Sequence, residues 1–287
     1  MEERRSLPQS TLPVQRALAL FLAAAFALTP APSRSQPVAH RVVSLIPSLT
    51  EDLFALGAGA DVVGVSEYSD YPAAAKKLPH VASYTSVDAE RIVAMHPDLI
   101  VGDYSQESTI QPLLRAKLHV ELFHEDSVRE VYAVVERLGI FLGREAQADA
   151  LVANMRATSA RLMQHLDRSH SKSVFVVLDI APIYTVGKQS YINTLIEMAG
   201  GRNAADVREA YGRYTAEAVL ALQPDVIVVD PAVGFQSVEN REPWRSLRAV
   251  QRGNVEMIPD PGILLHPSPR YNVGLKWLID LLARVKS

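Results

Sequence analysis

Apolar positions along this chain follow two alternating rhythms. Short β-rich runs at residues 41–46, 62–65, 99–101 and 120–123 are separated by stretches with helical spacing. Pro47 and Ser48 end the first run, and residues 50–56 read as a helix that stops at Gly57. Residues 90–95 form a short helix that has to end before Pro97. Ser127 and Glu130 have capping-box spacing, so a helix begins there and runs to Leu142, where Gly143 breaks it. From Glu145 to about Leu166 the apolar positions share one helical face, with no Pro or Gly. At about 1.5 Å per residue this helix reaches roughly 30 Å, enough to cross between two lobes.

Then the rhythm restarts. Residues 173–178, 226–229 and 255–258 read as strands, 192–199 as a helix closing on Gly200-Gly201, and 268–285 as a last helix. One unit is echoed. Glu90-Arg-Ile-Val-Ala-Met-His-Pro97-Asp98-Leu-Ile-Val101 matches Glu217-Ala-Val-Leu-Ala-Leu-Gln-Pro224-Asp225-Val-Ile-Val228 position by position. The pattern predicts an α/β fold of two lobes with mainly parallel sheets, joined by one long α-helix. The expected boundaries are an N-terminal lobe over 38–142, a bridging helix over 144–167 and a C-terminal lobe over 173–287.

Residues 1–35 read as an export signal. Arg4, Arg5 and Arg16 precede an apolar run over 17–28, shorter than the about 20 residues that span a bilayer. Small residues follow Pro30, where cleavage is expected. The mature protein is then expected outside the cytoplasm, away from ATP and reduced nicotinamide. Composition narrows the chemistry. The chain is 48% hydrophobic and 21% charged, with a net charge of -3 and no cysteine. It reads as globular, without the basic surface of a nucleic-acid binder. The missing cysteine excludes disulfides, thiolate metal sites and a lipid anchor on cysteine. The histidines have no paired metal spacing, so no metal site from protein residues alone is expected.

The opening RVVSLIPSLTEDLFALGAGADVVGVSEYSDYP and the segment ERIVAMHPDLIVG resemble the substrate-binding proteins of bacterial ABC importers, in the class whose lobes share one long helix. Within that class the likeness to periplasmic cobalamin-binding proteins includes Tyr68-Ser69-Asp70-Tyr71-Pro72, Thr185-Val-Gly-Lys188 and Ser268-Pro269-Arg270. The resemblance implies a monomeric periplasmic carrier, not an enzyme, with no intrinsic cofactor. It would deliver a corrinoid, cobalamin or another metal-bearing chelate, to a permease dimer in the inner membrane.

Tyrosines after strand ends mark the expected cleft, because open α/β sheets bind ligands there and Tyr offers both a flat face and a polar handle. The candidates are Tyr68, Tyr84, Tyr104, Tyr184 and Tyr211, with Tyr71 and Tyr214 read as rim residues. In the cobalamin-binding relatives, tryptophan is typical at the positions of Tyr84 and Tyr211. His266 is a candidate axial ligand to a ligand-borne metal or a loop His bonded to backbone; Arg270 is a candidate reader of ligand carboxylate or amide. Glu90 and Glu217 sit at matched second helical positions. Acidic residues there complement the helix dipole; the resemblance implies that they dock the permease. Haem or an iron–siderophore is the alternative cargo. A secreted hydrolase built on Asp179, His266 and a serine lacks both a G-x-S-x-G elbow and an H-E-x-x-H motif. A sensory or scaffold domain that kept the fold is a further alternative.

Overall fold

The computed structural model describes residues 38–285. The export-signal segment, residues 1–35, lies outside the described residues. Among the described residues no helix is long and apolar enough to cross a membrane.

The N-terminal lobe opens with β1 (Val42–Ser44), α1 (Pro47–Ala55), β2 (Val62–Ser66), β3 (His80–Ala82) and α2 (Ala89–Ala94). It continues with β4 (Leu99–Asp103), α3 (Gln111–Arg115) and β5 (Val120–Phe123). Its sheet has the order β3-β2-β1-β4-β5, and every pairing is parallel. Next come α4 (Val128–Leu142) and α5 (Glu145–Met163). The C-terminal lobe begins with β6 (Ser173–Val177), β7 (Asp179–Ile180), β8 (Ile183–Val186), α6 (Tyr191–Met198), β9 (Arg202–Asn203) and β10 (Tyr211–Tyr214). It ends with α7 (Ala216–Leu222), β11 (Val226–Val229), α8 (Phe235–Glu239), α9 (Arg248–Gln251), β12 (Val255–Met257), α10 (Pro261–Leu264) and α11 (Tyr271–Arg284). Its main sheet, β12-β11-β6-β9, is also parallel, while β10-β8-β7 form a small antiparallel sheet.

The central strands are continuous apolar runs because both faces are covered. In the N-terminal lobe Val42, Leu99 and Val101 enter one core, while Val43, Leu45 and Ile100 enter another on the opposite face. The C-terminal lobe alternates likewise, with Val174, Val176 and Val228 on one side and Phe175, Val177 and Val229 on the other.

The echoed units occupy equivalent places. β4 pairs in parallel with β1, and β11 with β6. Each unit ends its helix with a left-handed residue before proline, His96 at φ 48° and Gln223 at φ 43°. Proline disfavours the right-handed helical conformation in the residue before it, so the chain turns there. The Asp after each proline then ties down the neighbouring strand's start. Asp98 accepts the His40 amide at 3.0 Å, and Asp225 accepts the Ser173 amide at 2.7 Å.

Helix α5 joins the lobes. Its buried Ala148 and Val152 belong to the N-terminal core, and one turn on Met155 belongs to the C-terminal core. At 19 residues it spans about 28 Å. The Tyr271 hydroxyl meets Ser159 on α5 at 2.5 Å and Tyr132 on α4 at 2.7 Å, tying α11 to both helices.

Several local details differ from the sequence reading. α1 starts at Pro47 rather than at residue 50, because proline suits the first helical position. α5 ends at Met163 and α11 begins at Tyr271, with residues 268–270 forming the turn that precedes it. At Ser127 the cap is one-sided: its Oγ accepts the Glu130 amide, and its hydroxyl donates to the Glu130 carboxylate. Tyr184, Tyr211 and Tyr214 lie on strands rather than loops. Trp244 is buried in the C-terminal core, with Phe235 packed against that core.

The α4–α5 hairpin depends on close approach at Gly139, where a Cβ would come within 2.6 Å of the Ala148 Cβ. Gly139→Leu is expected to destabilise the protein by about 1–3 kcal/mol in urea unfolding, as overpacked helix contacts do. An unchanged midpoint would contradict this packing.

Candidate functional site

The parallel strands of the N-terminal lobe end at a topological switch point. β1 leads one way into α1, and its neighbour β4 leads the other way, so the loops after them part and leave a crevice. Ile46, Pro47 and Ser48 line it after β1, and Asp103 at the end of β4 and Ser105 beyond it. Glu125 and Asp126 follow β5, and Tyr84 follows β3. The C-terminal lobe supplies Tyr211 and the turn Leu265-His266-Pro267. Together they enclose an open cleft of about 410 Å³ between the lobes.

Aromatic rings are arranged in pairs. Tyr68 and Tyr84 stack at 5.6 Å in the N-terminal lobe. Tyr184 and Tyr211 stack at 6.2 Å in the C-terminal lobe. Tyr184 lies opposite Arg213 in the β8–β10 ladder, so Tyr211 is its diagonal neighbour on the same face. Tyr104 stacks on His124 at 4.0 Å. Tyr214 lies on the other face of β10, edge-on to Phe175. Half of the Tyr84 side chain is open to solvent, yet burial of its phenol in the cleft pushes the pKa up to about 12, with Tyr211, Glu125 and Tyr68 adding to the rise. Burial raises Tyr211 as well. Both phenols are therefore neutral donors at neutral pH.

His266 lines the cleft with its back to a buried carboxylate. Its Nδ1 lies 2.9 Å from Glu51 Oε1, and the other oxygen of Glu51 accepts from the Ser268 hydroxyl at 2.7 Å. Arg270 adds a third donor to Glu51 at 3.3 Å. Glu51 stands on α1 and its donors on the C-terminal lobe, so this cluster is a junction between the lobes. Arg270 is consequently engaged elsewhere than expected. Its guanidinium pairs with Asp260 and Glu51 and lies 3.9 Å from the centre of the Tyr71 ring. Its Nη1 and Nη2 are engaged at this junction, and the half-exposed Tyr71 offers that cation a ring face.

Of the expected ligand residues, Tyr84, Tyr211 and His266 line the cleft, and Tyr68 and Tyr184 stack on the first two. Tyr104 neighbours the lining residues Asp103 and Ser105. Glu90 and Glu217 lie outside the cleft. Each is exposed at the second position of its helix, behind the caps Asp88 and Thr215. Among the described residues no group of three or more acidic or histidine side chains is arranged to hold a metal ion.

The acidic lining went unnoticed in the sequence. Asp103, Glu125 and Asp126 stand in the cleft wall, and among the described residues no Lys or Arg lines it. The signal lies in the sequence: Asp103 ends β4, and Glu125 and Asp126 follow β5, at the carboxyl ends of parallel strands. Asp52 is fully buried, and among the described residues neither of its carboxyl oxygens nor Oε1 of Glu125 has a hydrogen-bond partner. The Glu125 partner is Ser48, whose hydroxyl donates at 2.6 Å. Burial pushes Glu125 up to about 8; the Ser48 bond opposes the rise, and the charges of Asp103, Asp126 and Glu51 add to it. Burial, then Glu125 and Glu51, raises Asp52 well above the usual range.

These shifts fix the sign of a pH dependence. A carboxyl whose folded pKa exceeds its unfolded value holds its proton more tightly in the native state. Stability is then highest near the unfolded value of about 4.3 and falls as pH rises through about 8. Thermal unfolding is expected at a higher midpoint at pH 5 than at pH 8, and Glu125→Gln is expected to shrink that gap. A gap of unchanged size in the variant would contradict the assignment to Glu125.

Comparison with known proteins agrees with the architecture. The periplasmic binding protein family matches residues 42–261. An uncharacterized ABC transporter substrate-binding lipoprotein of Bacillus subtilis, YvrC, is 32% identical over 249 residues, covering 84% of this chain and 79% of the relative. The vitamin B12-binding protein of Yersinia pestis is 33% identical over 227 residues, covering 78% and 79% respectively. Among solved structures, the periplasmic heme-binding protein RhuT from Roseiflexus superposes with a TM-score of 0.75 at 25% identity, covering 84% of this chain and 97% of that one. With its two-lobed frame, its interlobe cleft and a family match that runs through most of both lobes, the chain belongs to the periplasmic binding protein family.

Proposed function

We propose that this protein is an exported carrier that binds a corrinoid in the interlobe cleft and delivers it to an ABC importer. The observation that carries this reading is the pair of stacked tyrosine platforms, one from each lobe, flanking a cleft with acidic walls and no lining cation. Flat ring systems gain wide apolar contact on such platforms, and neutral phenols donate to carbonyl groups. A cleft without lining Lys or Arg suits a corrinoid fringed by neutral amides better than haem propionates or an anionic iron–siderophore. The 33% identity to a vitamin B12-binding protein supports the same choice. Haem is the second reading, favoured by the His266 ring in the cleft wall and by the fold shared with a heme-binding protein. The B. subtilis relative is named a lipoprotein. This chain's 287 residues hold no cysteine to carry a lipid; we read residues 1–35 as a cleaved signal, from the basic residues and the apolar run over 17–28, and the mature protein as a monomer in the periplasm.

Titration calorimetry with cyanocobalamin tests the reading, with hemin followed by absorbance in parallel. One-to-one heat with cyanocobalamin is expected, weakened about tenfold or more by Tyr84→Ala or Tyr211→Ala. No corrinoid heat together with a Soret shift would move the function to haem.

Glu90 and Glu217 are the proposed docking points for the permease. Each is exposed at the start of its echoed helix, one per lobe, as a two-subunit partner requires. Charge-assisted pairs with arginine fix orientation and speed encounter. The double variant Glu90→Ala/Glu217→Ala is expected to bind ligand normally and to lose uptake in a transport assay. Full uptake would exclude this role.

A further inference from the structure

The two nitrogens of His266 have different surroundings. Nδ1 is held by Glu51 at 2.9 Å. Nε2 has no hydrogen-bond partner among the described residues, and it is not among their buried unpaired atoms. The side chain is only 14% exposed and lines the cleft, so the accessible Nε2 opens there. A carboxylate that accepts from Nδ1–H fixes the tautomer with the proton on Nδ1 and leaves the lone pair on Nε2.

Glu51 itself is immobilised. Ser268 occupies its other oxygen at 2.7 Å, and Arg270 approaches the oxygen that holds His266. A Cβ at Gly262 would lie 3.2 Å from that same oxygen, so the backbone packs closely behind it. Pro267 follows His266 directly and lines the cleft with it. The imidazole is therefore held from behind by a carboxylate that two further donors fix, with one nitrogen, unpartnered among the described residues, presented to the ligand.

We propose that His266, positioned by Glu51, coordinates the metal of the bound ligand through Nε2, so that the cleft selects corrinoids with an open axial position. The inference rests on the corrinoid reading and deepens it. Cobalt(III) with a labile water exchanges it for the imidazole: a Co–N bond forms, the Co–O bond breaks, water leaves and no electron is transferred. A corrinoid with both axial positions filled binds on the tyrosine platforms alone. Glu51 is a positioning residue, since it reaches the metal only through His266.

The probe is diaquocobinamide, which lacks the nucleotide base and keeps both axial positions exchangeable, beside cyanocobalamin, whose axial positions are filled. Mixing the protein with diaquocobinamide is expected to move the visible bands to those of the imidazole adduct, and to give at least about tenfold tighter binding than for His266→Ala. His266→Ala is expected to abolish the band shift and to weaken diaquocobinamide binding by a larger factor than cyanocobalamin binding. Glu51→Gln, which keeps an acceptor for Nδ1–H, is expected to retain the shift with weaker binding; Glu51→Ala is expected to lose most of it. Circular dichroism confirms the fold of each variant, and His266→Ala keeps the test decisive if removing Glu51 unfolds the chain. Binding of diaquocobinamide without a band shift, or a shift that survives His266→Ala, overturns this inference alone. Failure to bind either corrinoid overturns the corrinoid reading and this inference with it.

Discussion

The carboxylate of Glu51 is almost wholly buried, yet its two oxygens receive His266, Ser268 and Arg270, all from the opposite lobe. A charge taken out of water is costly unless it is paired and hydrogen-bonded. This one is satisfied only while the lobes are together in this arrangement. Arg270 carries the same condition, because its partners Glu51 and Tyr71 belong to one lobe and Asp260 to the other. The junction therefore acts with α5, whose buried face runs from one core into the next, to fix how far the lobes stand apart. Losing either Glu51 or Arg270 strands a buried charge rather than simply deleting a contact.

The chemistry of the cleft follows from that junction. Its residues stand at the crevice where the β1 and β4 connections part. With Arg270 drawn back to Glu51 and Asp260, the cleft keeps its acids and lacks a lining cation. Glu125 and Asp52 cannot all ionise beside Glu51 in a dry interior, so burial and mutual repulsion hold them in the acid form. The walls are then aromatic and hydrogen-bonding, while Asp103 and Asp126, with no lining cation among the described residues, disfavour anions. In the proposed reading, this is what separates an amide-fringed cargo from a carboxylate-fringed one of similar shape.

Much of this architecture is legible in the sequence because it rests on local signals. The Pro97-Asp98 and Pro224-Asp225 units recur as helix–turn–strand elements with the same left-handed turn and the same strand-tying carboxylate. Gly143 ends α4 in a left-handed cap, as expected. What depends on distant residues meeting was not legible. Glu51 lies more than two hundred positions from His266 and Arg270, and no periodicity announces their contact. The antiparallel β8–β10 pairing was missed for the same reason. Tyr184 and Tyr211 look like isolated loop residues until the ladder sets them side by side. Residue type suggests that Arg270 could read a ligand; only the fold shows that Glu51 and Asp260 engage two of its nitrogens.

The central claim is that a flat, amide-fringed ligand enters between the two tyrosine platforms while the Glu51 junction stays closed. A crystal structure of the complex with cyanocobalamin tests it most directly. The account predicts the corrin ring between Tyr84 and Tyr211, with Arg270 still on Glu51 and Asp260. A ligand seated elsewhere, or an Arg270 that leaves Glu51 to pair with the ligand, would contradict it.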